Sequence, residues 1–130
     1  MGVCNMNSVK FRAWHKHRKV MCEVVGISFK YNKVLLDLET DEQESYYWHE
    51  SEYDLNDIIL MQYTGMSDTS GKEIYDGDMF WDDHYEEMLI VNYDEGTFWL
   101  SNKTAITPLF EVADSITVEG NIYEHANMLD

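Results

Sequence analysis

Short apolar runs separated by turns set the pattern of this chain. Val20–Phe29 and Ile58–Tyr63 are rich in β-branched and aliphatic residues, which favours strands over helices. The clearest hairpin joins Met88–Tyr93 to Thr97–Leu100 through Asp94-Glu95-Gly96, with glycine where a tight turn needs a positive φ. The pattern predicts a mainly β fold: a compact β-barrel or sandwich of about eight short strands with at most short helices.

The central stretch Met61–Asp78 holds three of the seven glycines, and we predict a turn at each, starting with one at Thr64-Gly65. Asp68 is placed to accept hydrogen bonds from backbone amides of its own loop. A phosphate loop needs four residues between its glycines, but five separate Gly65 from Gly71, and Glu73 replaces the hydroxyl residue. We therefore interpret this stretch as framework and not as a site.

The pattern of apolar, polar and glycine positions gives four further local predictions. Gly26 should form a bulge, and Trp14, which interrupts an alternating pattern, should lie at a bend or bulge. Residues 102–108 read as a loop, and Phe110-Glu111-Val112 as a short strand.

Length and composition predict a single domain over residues 1–130, with a flexible N-terminus at 1–9 and a tail at 125–130. The apolar runs are too short to span a membrane, and the N-terminus lacks the apolar core of a signal peptide. Cys4 and Cys22 are therefore expected to be reduced thiols in a soluble cytoplasmic protein.

Charge is unevenly distributed along the chain. Overall, 25 acidic residues oppose 9 basic ones, a net charge of −16. Residues 1–33 carry seven basic residues against one acidic residue (+6), whereas residues 34–130 carry two against 24 (−22). A basic head thus precedes an acidic body, which should be repelled by nucleic acid and attracted to basic surfaces.

Three separated blocks carry a resemblance to a known family. They are Lys10–Trp14, the central stretch Met61–Asp78, and Val118-Glu119-Gly120-Asn121-Ile122-Tyr123-Glu124. In this order and spacing the chain resembles the YopX-like proteins of phages and prophages. The resemblance implies a phage or prophage origin, a mostly β fold and a place in the bacterial host cytoplasm. The family has no established enzymatic activity, so the resemblance assigns no catalytic residues to this chain.

Two acidic segments depart from that resemblance, Asp37–Asp57 with nine acidic residues and Asp82–Glu87 with four. Aromatic residues lie among these acids, and such rings supply contact area in protein interfaces. We hypothesise a non-enzymatic accessory protein that binds a basic host macromolecule, with DNA mimicry as one form of this binding. The residues expected to contact the partner are Glu42, Glu44, Tyr47, Trp48, Glu50, Glu52, Asp82, Asp83, Tyr85, Glu86 and Glu87.

The basic head supports an alternative. Its charged residues could face nucleic acid or pair with the acidic body, within one chain or between copies; they are Lys10, Arg12, Lys16, Arg18 and Lys19. We favour pairing over direct nucleic-acid binding, so a self-associating structural or assembly protein is the main alternative function. An enzyme of unknown chemistry is the third.

No cofactor or metal is expected. His15 and His17 would share one face of a strand, but the surrounding basic residues repel a divalent ion. Asp82-Asp83-His84 lacks the alternating acidic loop of calcium sites. No G-x-S-x-G nucleophile motif occurs, and the apolar setting of Cys22 disfavours a thiolate.

Overall fold

A computed structural model describes residues 9–37, 50–84 and 86–129, and this part of the chain contains eleven strands and one short helix. The strands are β1 Phe11–His15, β2 Val20–Ser28, β3 Lys33–Asp37, β4 Glu50–Asp54, β5 Ile58–Ser67, β6 Glu73–Tyr75, β7 Asp78–Asp82, β8 Glu87–Asp94, β9 Thr97–Ser101, β10 Ile106–Pro108 and β11 Val118–Asn121. The helix α1 spans Leu109–Val112, and 3₁₀ turns span Leu55–Asp57, Ala113–Ser115 and Ala126–Leu129.

The strands form two sheets. One has the order β4-β3-β2-β1-β5-β6 and the other β10-β9-β8-β7-β11, and the registered pairs are antiparallel. The predicted mainly β fold with only short helices is confirmed. Each sheet ends in two different edge strands within the described residues, so the closed-barrel alternative is wrong, and the strands outnumber the expected eight.

The described residues divide into two compact units, one spanning residues 10–61 and the other containing residues 62–129. β5 crosses the boundary. The core of the first unit contains Ala13, Cys22, Val34, Leu36 and Ile58. The core of the second contains Ile74, Phe80, Val91, Leu100, Leu109, Ala113 and Val118. The single domain over residues 1–130 stays a prediction.

The first unit follows the chain as a meander from β1 to β4. The register of β2 on β3 shifts between Val24 and Gly26, which confirms the predicted bulge. Trp14 lies opposite Met21 in an uninterrupted ladder, so the predicted bend or bulge at Trp14 is wrong. The 3₁₀ turn Leu55–Asp57 follows β4, and the Asp54 side chain caps it by accepting a hydrogen bond from the Asn56 amide.

The second unit contains the predicted hairpin. β8 and β9 pair from Ile90 to Asp94, and Glu95 and Gly96 both have positive φ, 49° and 79°. Two adjacent residues of positive φ match the twist of antiparallel strands, so the hairpin prediction is confirmed. The loop predicted over residues 102–108 includes the strand β10 in its second half, and this part of the prediction is wrong.

The strand predicted at Phe110-Glu111-Val112 is also wrong, because these residues form most of the helix α1. Pro108 precedes the helix with φ −61°. Leu109 and Ala113, four residues apart, are both buried in the core. Burial at helical spacing therefore outweighs the β propensity of phenylalanine and valine.

Thr64-Gly65 is not a turn that ends a strand. β5 continues to Ser67, and its register on β6 shifts between Tyr63 and Ser67, with Gly65 at φ 82°. The Thr64 hydroxyl donates to the Ile74 carbonyl (2.8 Å) and accepts from the Met66 amide (3.1 Å). The threonine side chain thus satisfies backbone groups near this irregularity of the ladder.

Candidate functional site

Asp68 holds the loop between β5 and β6 in place, as its sequence position predicts. Its Oδ1 accepts hydrogen bonds from the Ser70 amide (2.8 Å), the Ser70 hydroxyl (2.7 Å) and the Lys72 amide (2.9 Å). Its Oδ2 accepts from the amide of Val118, fifty residues away, at 2.9 Å. The loop is therefore bonded to the strand β11 and is structural.

The protonation of Asp68 follows from these contacts. The residue is 5% exposed, and burial alone would raise its pKa. The hydrogen bonds from Val118, Ser70 and Lys72 outweigh burial and lower the pKa of Asp68 from 3.8 to about 2. The carboxylate is charged at neutral pH, and its partners in the protein replace water.

The described residues of the acidic segment Asp82–Glu87 lie where β7 ends and β8 begins. Asp82 lies opposite Glu87 in the ladder, and its Oδ1 accepts a hydrogen bond from the His84 amide (2.9 Å). Asp83 and Glu86 are exposed, and Glu86 has a positive φ of 53°. These residues thus present carboxylates at one corner of the sheet.

A groove of about 430 Å³, which we name the acidic groove, begins at this corner. Apolar side chains from the sheet and from the segment after α1 line it, and carboxylates, hydroxyls and one imidazole lie among them. No Lys or Arg is among these described lining residues. They are Phe80, Trp81, Asp82, Asp83, His84, Leu89, Leu100, Thr107, Val112, Ser115, Ile116, Thr117 and Glu119.

Glu119 reaches the acidic groove from a different strand. β11 pairs with β7 through Val118 opposite Phe80 and Gly120 opposite Met79, which leaves Glu119 as the extra residue of a β-bulge. A bulge changes the direction of a side chain relative to the regular pleat. Asp82, Asp83 and Glu119 therefore line one groove although 36 positions separate Asp83 from Glu119.

Glu87, another predicted partner-binding residue, makes hydrogen bonds within its own chain. Its Oε2 accepts hydrogen bonds from Asn102 Nδ2 (2.7 Å) and from the Thr104 hydroxyl (2.9 Å), so it fixes the loop after β9. Glu86 and Glu87 line a second groove of about 570 Å³, which also contains Lys103. Trp81, which is 45% exposed, lines both grooves.

Sequence reasoning missed Trp81 and Glu119. The alternation in β11, with Val118 buried and Glu119 exposed, was a signal that Glu119 faces outward. Only the pairing of β11 with β7 shows that it faces the same groove as Asp82.

Two of the other predicted partner-binding residues are on β4 of the first unit. Glu52 is exposed on β4, and Glu50 is the first residue of that strand. The predictions for Glu42, Glu44, Tyr47, Trp48 and Tyr85 lie outside the described residues.

The basic head lies in the first unit. Lys10 precedes β1, Arg12 is half-buried in it, and Lys16, Arg18 and Lys19 are exposed in the turn before β2. Lys16 Nζ donates to the Asn56 carbonyl (2.9 Å), and the Arg18 guanidinium lies 6.0 Å from the centre of the Tyr53 ring. His17 Nε2 lies 3.9 Å from Asp57 Oδ1. Part of the basic head therefore contacts the Tyr53–Asp57 segment of its own chain.

The described residues do not bring together three or more His, Cys, Asp or Glu side chains in an arrangement that could hold a metal ion. His15 and His17 do approach each other, with ring centres 6.2 Å apart. Burial, followed by the charges of Arg18 and His17, lowers the pKa of His15. Cys22 is a buried free thiol, and burial raises its pKa. Cys4 lies outside the described residues.

Comparison with known proteins supplies the family. Residues 10–130 match the YopX protein family. The chain belongs to the YopX family. It is similar to the crystal structure of protein EF1440 from Enterococcus faecalis, with 26% sequence identity, a TM-score of 0.69, and coverage of 94% of this chain and 98% of that one. A comparison with curated proteins found no match. In the described part of this YopX-family chain, no helix is long and apolar enough to span a membrane.

Proposed function

We propose that this YopX-family protein is a non-enzymatic phage accessory protein that binds a basic host protein in the bacterial cytoplasm. The acidic groove is the observation that carries the proposal. Asp82, Asp83 and Glu119 supply negative charge around apolar side chains, without a Lys or Arg among the described lining residues. A lysine or arginine of the partner would pair with the carboxylates while its aliphatic stem contacts the apolar surface.

The charge of the second unit supports the same partner chemistry. Residues 62–130 carry 15 acidic residues against 2 basic ones, a net charge of −13. A field of one sign increases the rate at which an oppositely charged partner associates, and salt weakens that effect. The groove then provides local contacts, with exposed Trp81 as the aromatic anchor.

Capture from bacterial lysate, compared between three matched chains, tests the proposal. The groove variant is Asp83→Lys with Glu119→Lys. The control variant is Asp94→Lys with Glu95→Lys, which changes the net charge equally at exposed positions of the β8–β9 hairpin. We expect the wild type and the control to retain the same basic protein at low salt and the groove variant to lose it. Equal retention by all three chains, or no basic protein retained by the wild type, would overturn the proposal.

DNA mimicry is the narrower form of this proposal. In it, the carboxylates of the groove occupy positions that DNA phosphates take on the partner. The captured protein would then bind duplex DNA, and the YopX-family chain would displace that DNA in a competition assay. A partner that binds DNA and this chain at the same time would exclude mimicry but leave partner binding intact.

A further inference from the structure

The turn between β2 and β3, residues Ser28–Lys33, exposes two aromatic side chains. We name it the β2–β3 tip. Phe29 is 79% exposed and Tyr31 is 67% exposed. Lys30 lies between them in sequence, with its Nζ 5.2 Å from the centre of the Tyr31 ring. The tip thus combines large apolar rings with positive charge, and the proposed function does not use it.

Hydrogen bonds fix the backbone of this tip. The Tyr31 amide donates to the Ser28 hydroxyl (3.3 Å), and Asn32 takes a positive φ of 55°. The Asn32 carbonyl accepts from the Leu55 amide (3.0 Å), and Asn32 Nδ2 donates to Asp54 Oδ1 (3.0 Å). Because the backbone is already ordered, less conformational entropy would be lost when the rings bind a partner.

The acidic groove has the complementary chemistry. Apolar side chains in its lining could contact a ring of the tip, Asp83 and Glu119 could pair with Lys30, and its volume of about 430 Å³ is within the range of ligand pockets. Each copy of the chain has one tip and one groove. We infer that the β2–β3 tip of one copy binds in the acidic groove of a second copy.

Such a contact joins two different surfaces, so it is a heterologous, head-to-tail interface. It repeats from copy to copy unless the assembly closes into a ring. Because it uses the groove of the proposed function, self-association would compete with a basic host protein. Self-association does not require the host protein. The inference and the proposed function can therefore fail independently of each other.

Complementation between two variants tests the inference by sedimentation velocity at low salt. The tip variant is Phe29→Ser with Lys30→Ser, and the groove variant is Asp83→Lys with Glu119→Lys. We expect concentration-dependent assembly of the wild type, and a dissociation constant about tenfold or more higher for each variant alone. An equimolar mixture should form a heterodimer that grows no further, since one intact tip and one intact groove remain.

The control is the tip variant that also carries Asp94→Lys and Glu95→Lys. Its two lysine substitutions change the net charge as much as those of the groove variant, but it has no intact tip. Its mixture with the tip variant should therefore remain monomeric. The milder Lys30→Ala should weaken assembly, and circular dichroism should show that every variant is folded. A monomeric wild type, unimpaired single variants or a monomeric complementing mixture would overturn the inference. A wild type that is monomeric but still retains the basic protein would overturn the inference and leave the proposed function standing.

Discussion

Replacing Asp68 by Asn should destabilise the folded chain by about 2 kcal/mol at neutral pH. The substitution keeps the shape of the side chain but replaces one carboxylate oxygen by an amide nitrogen. If the remaining oxygen accepts from Ser70 and Lys72, the new NH₂ group faces the amide of Val118, which is buried at this contact. Two donors then face each other without an acceptor.

Two ways of counting the same hydrogen bonds give this magnitude. A buried donor left without its acceptor costs about 1–3 kcal/mol. The lowering of the Asp68 pKa from 3.8 to about 2 corresponds, at about 1.4 kcal/mol per unit, to a similar contribution. Because the pKa is lower in the folded state, this contribution is fully present above about pH 4 and is lost as the pH falls towards 2.

Urea denaturation of the wild type and Asp68→Asn at several pH values measures both effects. The difference in the free energy of unfolding should be constant from pH 7 to pH 5 and should shrink below about pH 4. Asp114→Asn, at an exposed acid of the same unit, should leave the free energy of unfolding nearly unchanged. A difference below about 0.5 kcal/mol at pH 7, or one of equal size at pH 3 and pH 7, would refute the reasoning.

Three further predictions concern individual contacts. Glu87→Ala removes the acceptor of Asn102 and Thr104 and should lower the free energy of unfolding by about 1 kcal/mol without affecting partner capture; unchanged stability with lost capture would contradict the structural role. Gly120→Ala would place a Cβ 2.7 Å from His125 Nδ1 and should cost about 1–3 kcal/mol in thermal or urea unfolding. Adding His125→Ala should recover part of that loss, and no recovery would mean that the clash is not the cause. In a Cys4→Ser background, buried Cys22 should react with a thiol reagent much more slowly in the folded chain than in urea, and equal rates would contradict its burial.

Local features of the fold could be predicted where one residue decides the backbone. Gly96 fixes the β8–β9 hairpin and Gly26 lies at the shift on β3, because glycine accommodates turns and bulges at little cost. Asp68 could be assigned to its loop because aspartate accepts from amides two or more residues ahead. Its bond to Val118 could not be predicted, since no local pattern encodes a contact over fifty residues.

The segment after β9 shows why the loop and strand predictions for residues 102–112 were wrong. Its residues have β-branched and aromatic side chains, which favour a strand, but Leu109 and Ala113 are buried at helical spacing. Pro108 lies on the edge strand β10, where its missing amide hydrogen removes no bond from a central ladder. The first fact depends on which residues pack into the core and the second on which strand is at the edge of the sheet, and both are properties of the whole fold.

The acidic groove could be predicted only in part for the same reason. Asp82 and Asp83 were identified because four acids lie within six residues. Glu119 and Trp81 do not belong to a cluster of this kind, so the sequence did not connect them with Asp82 and Asp83. The abundance of acids also placed Glu87 among the predicted partner-binding residues, but it gave no sign of the hydrogen bonds by which Glu87 holds Asn102 and Thr104.

The blocks that carry the family resemblance are physically connected. Asp68 of the central stretch bonds to Val118 of the closing block, and the Gly77 carbonyl accepts from the Ile122 amide. Thr69 likewise donates to the carbonyl of Ile116, just before that block. The central and closing motifs are therefore two parts of one hydrogen-bonded framework, and a change in either removes partners from the other.

That framework positions the acidic groove without supplying most of its surface. Asp82 and Asp83 follow the central stretch in the chain, and Val112 and Ile116 precede the closing block, so these lining residues come from the sequence between the two motifs. Glu119 is the exception: it belongs to the closing block and reaches the groove through the β11 bulge. Relatives that keep the framework can thus change the charge and shape of the groove. Under the proposed function, we expect the family fold to persist where the partner differs, and the partner to depend on the groove residues and not on the motif.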